Sequence, residues 1–373
     1  MPRARVALFV LAASGAFAGE VRGVWIARDT LGSREQIAKA MSTLASANFN
    51  VAFVNAWSQG YTLWPSKVFE RETGVLIDPR FEGRDVMAEA VEEGQRAGIS
   101  IIPWLEYGFA GVWSGRLTGE SLGPVFDRHP DWLARNRGGE ARFPLAAGGY
   151  YYWMIHTHPE AQDFLISLME ELVRTYDIPG VQFDRARYPA LDCGYDDYTK
   201  KLYADEHDGR MPPDDPAEAG WIRWRADKLN AFIAEMHRRV KEADWRALVT
   251  NAPTPTPDGY RSYAQDPPGW IRDKALDFVS PQLYWRDAPT YRSKLELHIR
   301  ALEAGSRLVP GVAVSVSDPD ALVRIIEITR EYELPSVVIL YYEDLVKAGA
   351  FEKLRATVFE RKERLPWRDS HVR

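Results

Sequence analysis

The chain has 373 residues, 46% of them apolar, and a formal net charge of −6 with both signs mixed along its length. The absence of a basic arm or stripe argues against nucleic acid as a partner. A single cysteine, Cys193, excludes an internal disulfide and a thiolate metal cluster, and the apolar content suffices for a core without either.

The first residues, Met1-Pro-Arg-Ala-Arg5, precede an apolar run from Val6 to Ala13 and the small-residue pattern Ala16-Phe17-Ala18. This is the layout of a secretory signal peptide cleaved after Ala18, and its apolar run is too short to span a bilayer. The sequence therefore predicts an exported protein, periplasmic or secreted, with no stable membrane insertion after cleavage and one domain over 19–373.

From Arg22 onward, short runs rich in Val, Ile and Phe alternate with amphipathic segments, as parallel strands joined by crossover helices do. The strand candidates are RGVWIARD from Arg22, NVAFVNAW from Asn50, ISIIPWLEYG from Ile99 and IPGVQFDRARYP from Ile178. RALVTNAP from Arg246, LDFVSPQLYW from Leu276, RLVPGVAVSVS from Arg307 and PSVVILYYED from Pro335 complete eight. Helical spacing predicts helices over 34–47, 85–97, 159–176, 221–242, 291–304, 320–332 and 345–359. Eight such units close into a (β/α)8 TIM barrel. A doubly wound sheet would carry a Gly-rich phosphate turn after its first strand, where this chain has Ala27-Arg28-Asp29-Thr30. Two long connections, 109–157 and 192–215, follow the third and fourth strands on the C-terminal face, where barrels of this kind build their sites.

With 13 Trp and 17 Tyr, the chain is equipped to stack on the C–H faces of sugars. Glycosidic hydrolysis needs a proton donor and a second carboxylate acting as nucleophile or base, so the carboxylates that end strands are the candidates. Asp184 ends the fourth strand, followed by Arg185, Arg187 and Tyr188; those guanidinium groups predict an ionised carboxylate, suited to a nucleophile or charge stabiliser. Glu106 ends the third strand among aromatic rings that would raise its pKa, as a proton donor requires, and Glu343 follows Tyr341-Tyr342 in a similar setting. Glu106 is preferred over Glu343 as the acid. Asn251 and Gln282 are placed to meet sugar hydroxyls, and Trp25, Trp57, Trp104, Tyr284 and Trp285 to stack, though some of these rings must fill the barrel instead. Tyr107, Arg185, Arg187 and Tyr342, beside the carboxylates, complete the substrate-binding set. His156 and His158 suggest zinc only weakly, because a His-Pro pair at a helix start reads better as capping or packing; no metal and no cofactor is expected.

Several strings together resemble the bacterial family 10 glycosyl-hydrolase-like proteins. They are R-G-V-W at Arg22, P-W-L-E-Y-G-F at Pro103, H-P-D-W-L at His129, G-V-Q-F-D at Gly180, W-I-R-W-R-A-D-K at Trp221, P-Q-L-Y-W at Pro281 and L-Y-Y-E at Leu340. The resemblance implies an exported (β/α)8 barrel, with relatives that act as glycosidases on peptidoglycan strands stripped of peptide. The family's fourth strand reads D-G-I-x-F-D-D, whereas this chain has Pro179-Gly180-Val181-Gln182-Phe183-Asp184-Arg185 and keeps only the Asp184 carboxylate. That departure implies a lowered pKa at Asp184, an altered substrate, or a barrel that binds glycan without cutting it. Two functions follow: an envelope glycoside hydrolase, and as the alternative a non-catalytic glycan-binding barrel.

Overall fold

The computed structural model describes residues 19–145, 148–315 and 317–366; the expected leader over 1–18 lies outside the described residues. Eight parallel strands form one sheet: β1 (Val21–Ile26), β2 (Val51–Asn55), β3 (Ser100–Leu105), β4 (Gly180–Phe183), β5 (Leu248–Asn251), β6 (Phe278–Val279), β7 (Gly311–Ala313) and β8 (Ser336–Leu340). Their order is β6-β5-β4-β3-β2-β1-β8-β7, and parallel bridges Val279↔Leu308 and Gln282↔Gly311 join its two ends. The sheet is therefore a closed barrel with no free edge, which rules out the open doubly wound alternative.

Alternation along each strand separates a barrel interior from a helix-facing layer. The interior is filled by Trp25, Phe53, Trp104 and Phe278 with Val21, Val51, Ile102, Leu248, Val309 and Val338. Rings of this size need room opposite them. A Cβ on Gly311 would lie 2.9 Å from the Trp25 ring and one on Gly23 would lie 3.1 Å from Phe53, so glycine at these positions is what admits the aromatic layer. The same parity carries past the strand ends: Ile102 and Trp104 lead to Glu106, Gly180 and Gln182 lead to Asp184, and Val51 and Phe53 lead to Asn55. Three polar groups on adjacent strands thus emerge at the C-terminal mouth.

The outer layer is α1 (Arg34–Ser46), α2 (Val86–Ala97), α3 (Pro159–Thr175), α4 (Ala219–Ala243), α5 (Pro267–Arg272), α6 (Ala288–Leu302), α7 (Pro319–Glu331), α8 (Tyr342–Ala348) and α9 (Ala350–Ala356). Side-chain caps fix most starts: Ser33, Asp85, Glu218, Asp266, Asp287 and Asp318 each accept a backbone N–H of the first turn. The helix expected over 345–359 is two, because Gly349 takes a left-handed φ of 59° and ends α8. Among the described residues, no helix is long and apolar enough to cross a membrane.

The connections above the mouth are built elements. The β2–α2 segment adds a hairpin, Trp57–Ser58 with Tyr61–Thr62, which the sequence pattern did not single out. The β3–α3 segment carries a three-stranded antiparallel sheet, with Tyr150–Trp153 between Ala110–Trp113 and Phe143–Pro144. Buried Arg225 of α4 secures the β4–α4 segment by donating to the carbonyls of Leu191 at 2.5 Å, Cys193 at 2.9 Å and Pro216 at 2.9 Å.

Candidate active site

Asp184 leaves β4 beside β3, its backbone N–H donating to Leu105 O at 3.1 Å. Oδ1 accepts from the Arg185 N–H at 2.6 Å and from Gln282 Nε2 at 3.4 Å. Glu106 leaves β3 next to it. Its Oε2 accepts from Asn55 Nδ2 at 2.6 Å and Ser58 Oγ at 3.4 Å, and its Oε1 lies 3.6 Å from Arg185 Nη2. Every partner of Glu106 is therefore a donor, the surroundings a carboxylate takes. Arg185 itself lies between two rings, 4.8 Å from Tyr107 and 5.1 Å from Tyr151, in a left-handed conformation with φ of 46°. Arg187 donates through Nη1 to Thr254 Oγ1 and lies 4.9 Å over Tyr263.

The electrostatics of Asp184 reverse the expectation from its neighbours. Its residue is 5% exposed, and burial pushes the carboxyl pKa up to about 6 against the pull of Arg185, Arg187 and the Arg185 N–H, with Glu106 adding to the rise. Desolvation of a buried charge outweighs two nearby guanidinium groups here, so Asp184 keeps its proton up to about pH 6, well above an ordinary carboxylate, and exchanges it with solvent just below neutrality. The Tyr107, Tyr284 and Tyr341 phenols are all pushed upward, each mainly by burial, and stay protonated donors.

The other expected site residues divide. Gln282 reaches Asp184 and also donates to Ala252 O at 3.0 Å, and Tyr284 shares its neighbourhood. Trp104 sits at the top of the barrel interior, 6.5 Å from Tyr341, with its indole N–H buried and unpartnered. Trp25 is no stacking platform: it fills the barrel, and its Nε1 donates to Gln182 Oε1 at 2.6 Å. Trp57 is fully buried against Phe69 and Phe164, and its Nε1 donates to Gly108 O at 3.1 Å, so it holds the β3 exit in place instead of meeting a ligand. Asn251 lies on the parity opposite to Leu248 and Ala252 and spends its Nδ2 on Phe183 O, away from sugar hydroxyls. Trp285 likewise packs on the outer layer under Lys294, 5.0 Å from its ring.

Glu343 opens α8 and is engaged with the β1–α1 turn, accepting from Ala27 N at 3.2 Å and from Thr30 Oγ1. Burial raises its pKa too, with Asp29 the neighbouring charge, but among the described residues it shares no hydrogen-bond partner with Asp184 or Glu106, although the Tyr341 phenol lies within electrostatic reach of all three. Tyr342 is buried beside Phe351 at 5.7 Å, in the same recess between α1 and α8 that Glu343 borders. His156 stacks on Tyr188 at 4.0 Å and meets Arg187 O at 2.9 Å, and burial holds its pKa down at about 3. His158 precedes α3, with its ring 4.6 Å from Tyr198. Among the described residues, no group of three or more His, Cys, Asp or Glu is arranged to hold a metal ion.

The structure also adds residues. Asn55 and Ser58 grip Glu106, Tyr151 closes the stack over Arg185, and Tyr341 faces the carboxylates where Tyr342 had been expected to. Gly108, with φ of 50°, lets the β3 exit touch Asp184: a Cβ there would sit 2.0 Å from Asp184 O. A polar residue ending β2 with inward parity was the available signal for Asn55. Tyr151 belongs to the antiparallel sheet of the long connection after β3, and its signal was the aromatic content of that connection on the C-terminal face, which did not single it out from Tyr150 and Tyr152.

Set beside known proteins, the chain is 25% identical over 369 residues to "Glycosyl hydrolase YngK" of Bacillus subtilis (strain 168), a match covering 84% of this chain and 66% of that protein. To "Glycosyl hydrolase DigH" of Escherichia coli (strain K12) it is 24% identical over 270 residues, covering 65% of this chain and 56% of that one. The chain thus spans just under two thirds or less of these relatives. Among solved structures, the PgaB (BpsB) glycoside hydrolase domain from Bordetella bronchiseptica superposes with a TM-score of 0.67 at 14% identity, covering 90% of this chain and 98% of that one. The catalytic domain of a β-amylase from Paenibacillus polymyxa gives 0.63 at 12%, covering 91% and 97%. At these identities the structural likeness is one of fold, that of TIM-barrel glycoside hydrolases. The sequence itself matches the glycosyl hydrolase-like 10 model over residues 20–307, well over half its length, and the chain belongs to that family.

Proposed function

We propose that this protein is a glycoside hydrolase acting on a glycan of the bacterial cell envelope, with Asp184 as proton donor and Glu106 as the opposing carboxylate. The observation that carries the reading is a buried carboxyl with its pKa raised to about 6, one strand away from a carboxylate surrounded by donors. A carboxyl whose pKa is raised by burial, beside a second carboxyl that only donors surround, is the arrangement that divides a proton donor from a base or nucleophile. In the step proposed, the Asp184 proton passes to the glycosidic oxygen as the C1–O bond breaks. Glu106 faces the positive charge that develops at C1, and bonds to it or takes a proton from the water that does. Tyr107, Tyr284 and Tyr341 donate to sugar hydroxyls, and Trp104 offers its unpartnered indole N–H.

These roles exchange those expected from sequence, where Asp184 was the ionised partner and Glu106 the acid. The envelope glycan and export to the periplasm or beyond rest on the leader pattern and on the resemblance to family members that cut peptide-free peptidoglycan. Incubation with such glycan strands and with other envelope polysaccharides should release shorter sugars, and Asp184→Asn should release none; full activity in that variant would refute the assignment. The competing reading, a barrel that binds glycan without cutting it, is favoured by the Arg185–Glu106 ion pair, which occupies the second carboxylate. Binding without products across the same panel would establish it.

A further inference from the structure

The mouth holds a guanidinium group, that of Arg187, which neither of its carboxyl groups pairs with among the described residues. Arg185 is paired with Glu106 at 3.6 Å, while Arg187 has a neutral hydroxyl, Thr254 Oγ1, and the Tyr263 ring. Among the described residues, no carboxylate lies within salt-bridge distance of Arg187, and Asp184, which both guanidinium groups influence, spends Oδ1 on the Arg185 N–H and Gln282. Below about pH 6, where Asp184 carries the proton its proposed task needs, two guanidinium groups face one carboxylate. Removing a cation from water without a counter-ion is unfavourable, and burial together with Arg185 pulls the Arg187 pKa down accordingly. A second sign is Arg185 Nη1, a buried donor with no partner. Arg185 also keeps a left-handed backbone that a long side chain seldom adopts, so its guanidinium is held at this place by its surroundings rather than by local preference.

We propose that Arg187, with the free donor of Arg185, forms an anion subsite next to Asp184, and that the sugar bound there bears a carboxylate. A planar guanidinium meets a carboxylate through two parallel N–H···O bonds, which neutral hydroxyls cannot match. The carboxylate could belong to a hexuronate ring or to a carboxyalkyl ether on a neutral ring, and the experiment separates the two. This inference rests on the reading of the mouth as a glycan site and specifies its substrate class.

The test is calorimetric titration of the whole protein with matched oligosaccharides: a uronate oligomer and its carboxyl-reduced form, and a carboxyalkyl-ether oligomer and its reduced form. In at least one pair the acid should bind about tenfold tighter or more. Arg187→Gln should erase that preference and Arg187→Lys should restore part of it. Should Arg187→Gln fail to fold, the wild-type pairs alone decide. Equal binding within both pairs, no binding of any member, or a preference unchanged in Arg187→Gln overturns the subsite. Product release is scored separately. Acid-selective binding without cleavage removes the hydrolase and leaves the subsite, whereas cleavage of neutral glycan with no preference for acid removes the subsite and leaves the hydrolase.

Discussion

Replacing Asp184 by Asn should make the folded protein more stable at pH 7 while removing turnover. The carboxyl pKa rises from 3.8 to about 6 on folding, so the folded chain binds this proton more tightly than the unfolded chain does. A difference of about 2 units corresponds to about 3 kcal/mol at roughly 1.36 kcal/mol per unit. Below about pH 4 both states carry the proton and the stability it confers is fully present; as pH rises through about 6 that stability is lost. Asn has no proton to lose and keeps an Oδ1 that accepts from the Arg185 N–H and Gln282. The variant should therefore gain up to about 3 kcal/mol over the wild type at pH 7 and almost nothing near pH 4. With an unfolding entropy of about 2.1 cal/mol/K per residue, this is roughly a 4 °C rise in Tm. Urea unfolding of both proteins at the two pH values measures it. Equal stability at pH 7, or the same gain at both pH values, would refute the claim that burial dominates at Asp184.

The same group sets a pH limb: kcat/KM for glycan cleavage should fall as pH rises through about 6, and Arg187→Gln, which removes a cation that holds the carboxyl down, should move that limb upward. A limb that moved down would contradict the assignment. Gly108→Ala should cost about 1 kcal/mol or more, because the position has positive φ and the added Cβ meets Asp184 O, and it should depress kcat beyond what the stability loss explains; unfolding curves beside kinetics separate the two. Glu343→Gln should retain most of the activity, since Gln still accepts from Ala27 N and Thr30, and a dead but folded Glu343→Gln would move the acid away from Asp184.

Much of this architecture is legible in the chain. Runs of Val, Ile and Phe mark the eight strands because both faces of a parallel barrel sheet are covered, and period-2 alternation alone carries Gln182 to Asp184 at the mouth. The sign of the Asp184 pKa shift was not legible. Arg185 and Arg187 are visible as neighbours in sequence, but the burial that outweighs them depends on the fold, which brings Tyr284 and Gln282, about a hundred residues away, into the surroundings of Asp184. The aromatic count had the same blind spot. Trp25, Trp57 and Trp104 read alike as Trp near strand ends, yet the first fills the barrel, the second braces Gly108 and the third alone reaches the mouth. Tyr341 and Tyr342 were one residue apart and exchanged, since the chain leaves the strand pattern where β8 gives way to α8.

The contact between Gly108 and Asp184 separates what can vary in this molecule from what cannot. Glu106 and Asp184 ride on neighbouring strands whose spacing, about 4.8 Å, is set by backbone hydrogen bonding, and they are stitched together below the loops by Asp184 N–H to Leu105 O. The antiparallel sheet after β3 and the segment after β4 supply Tyr151 and much of the surrounding wall without helping to fix that spacing. Insertions or replacements there would reshape the groove while leaving the carboxylate pair undisturbed. A lineage of such barrels could change what it binds by exchanging loops, whereas a change as small as one methyl group at the β3 exit would press on the backbone that carries Asp184.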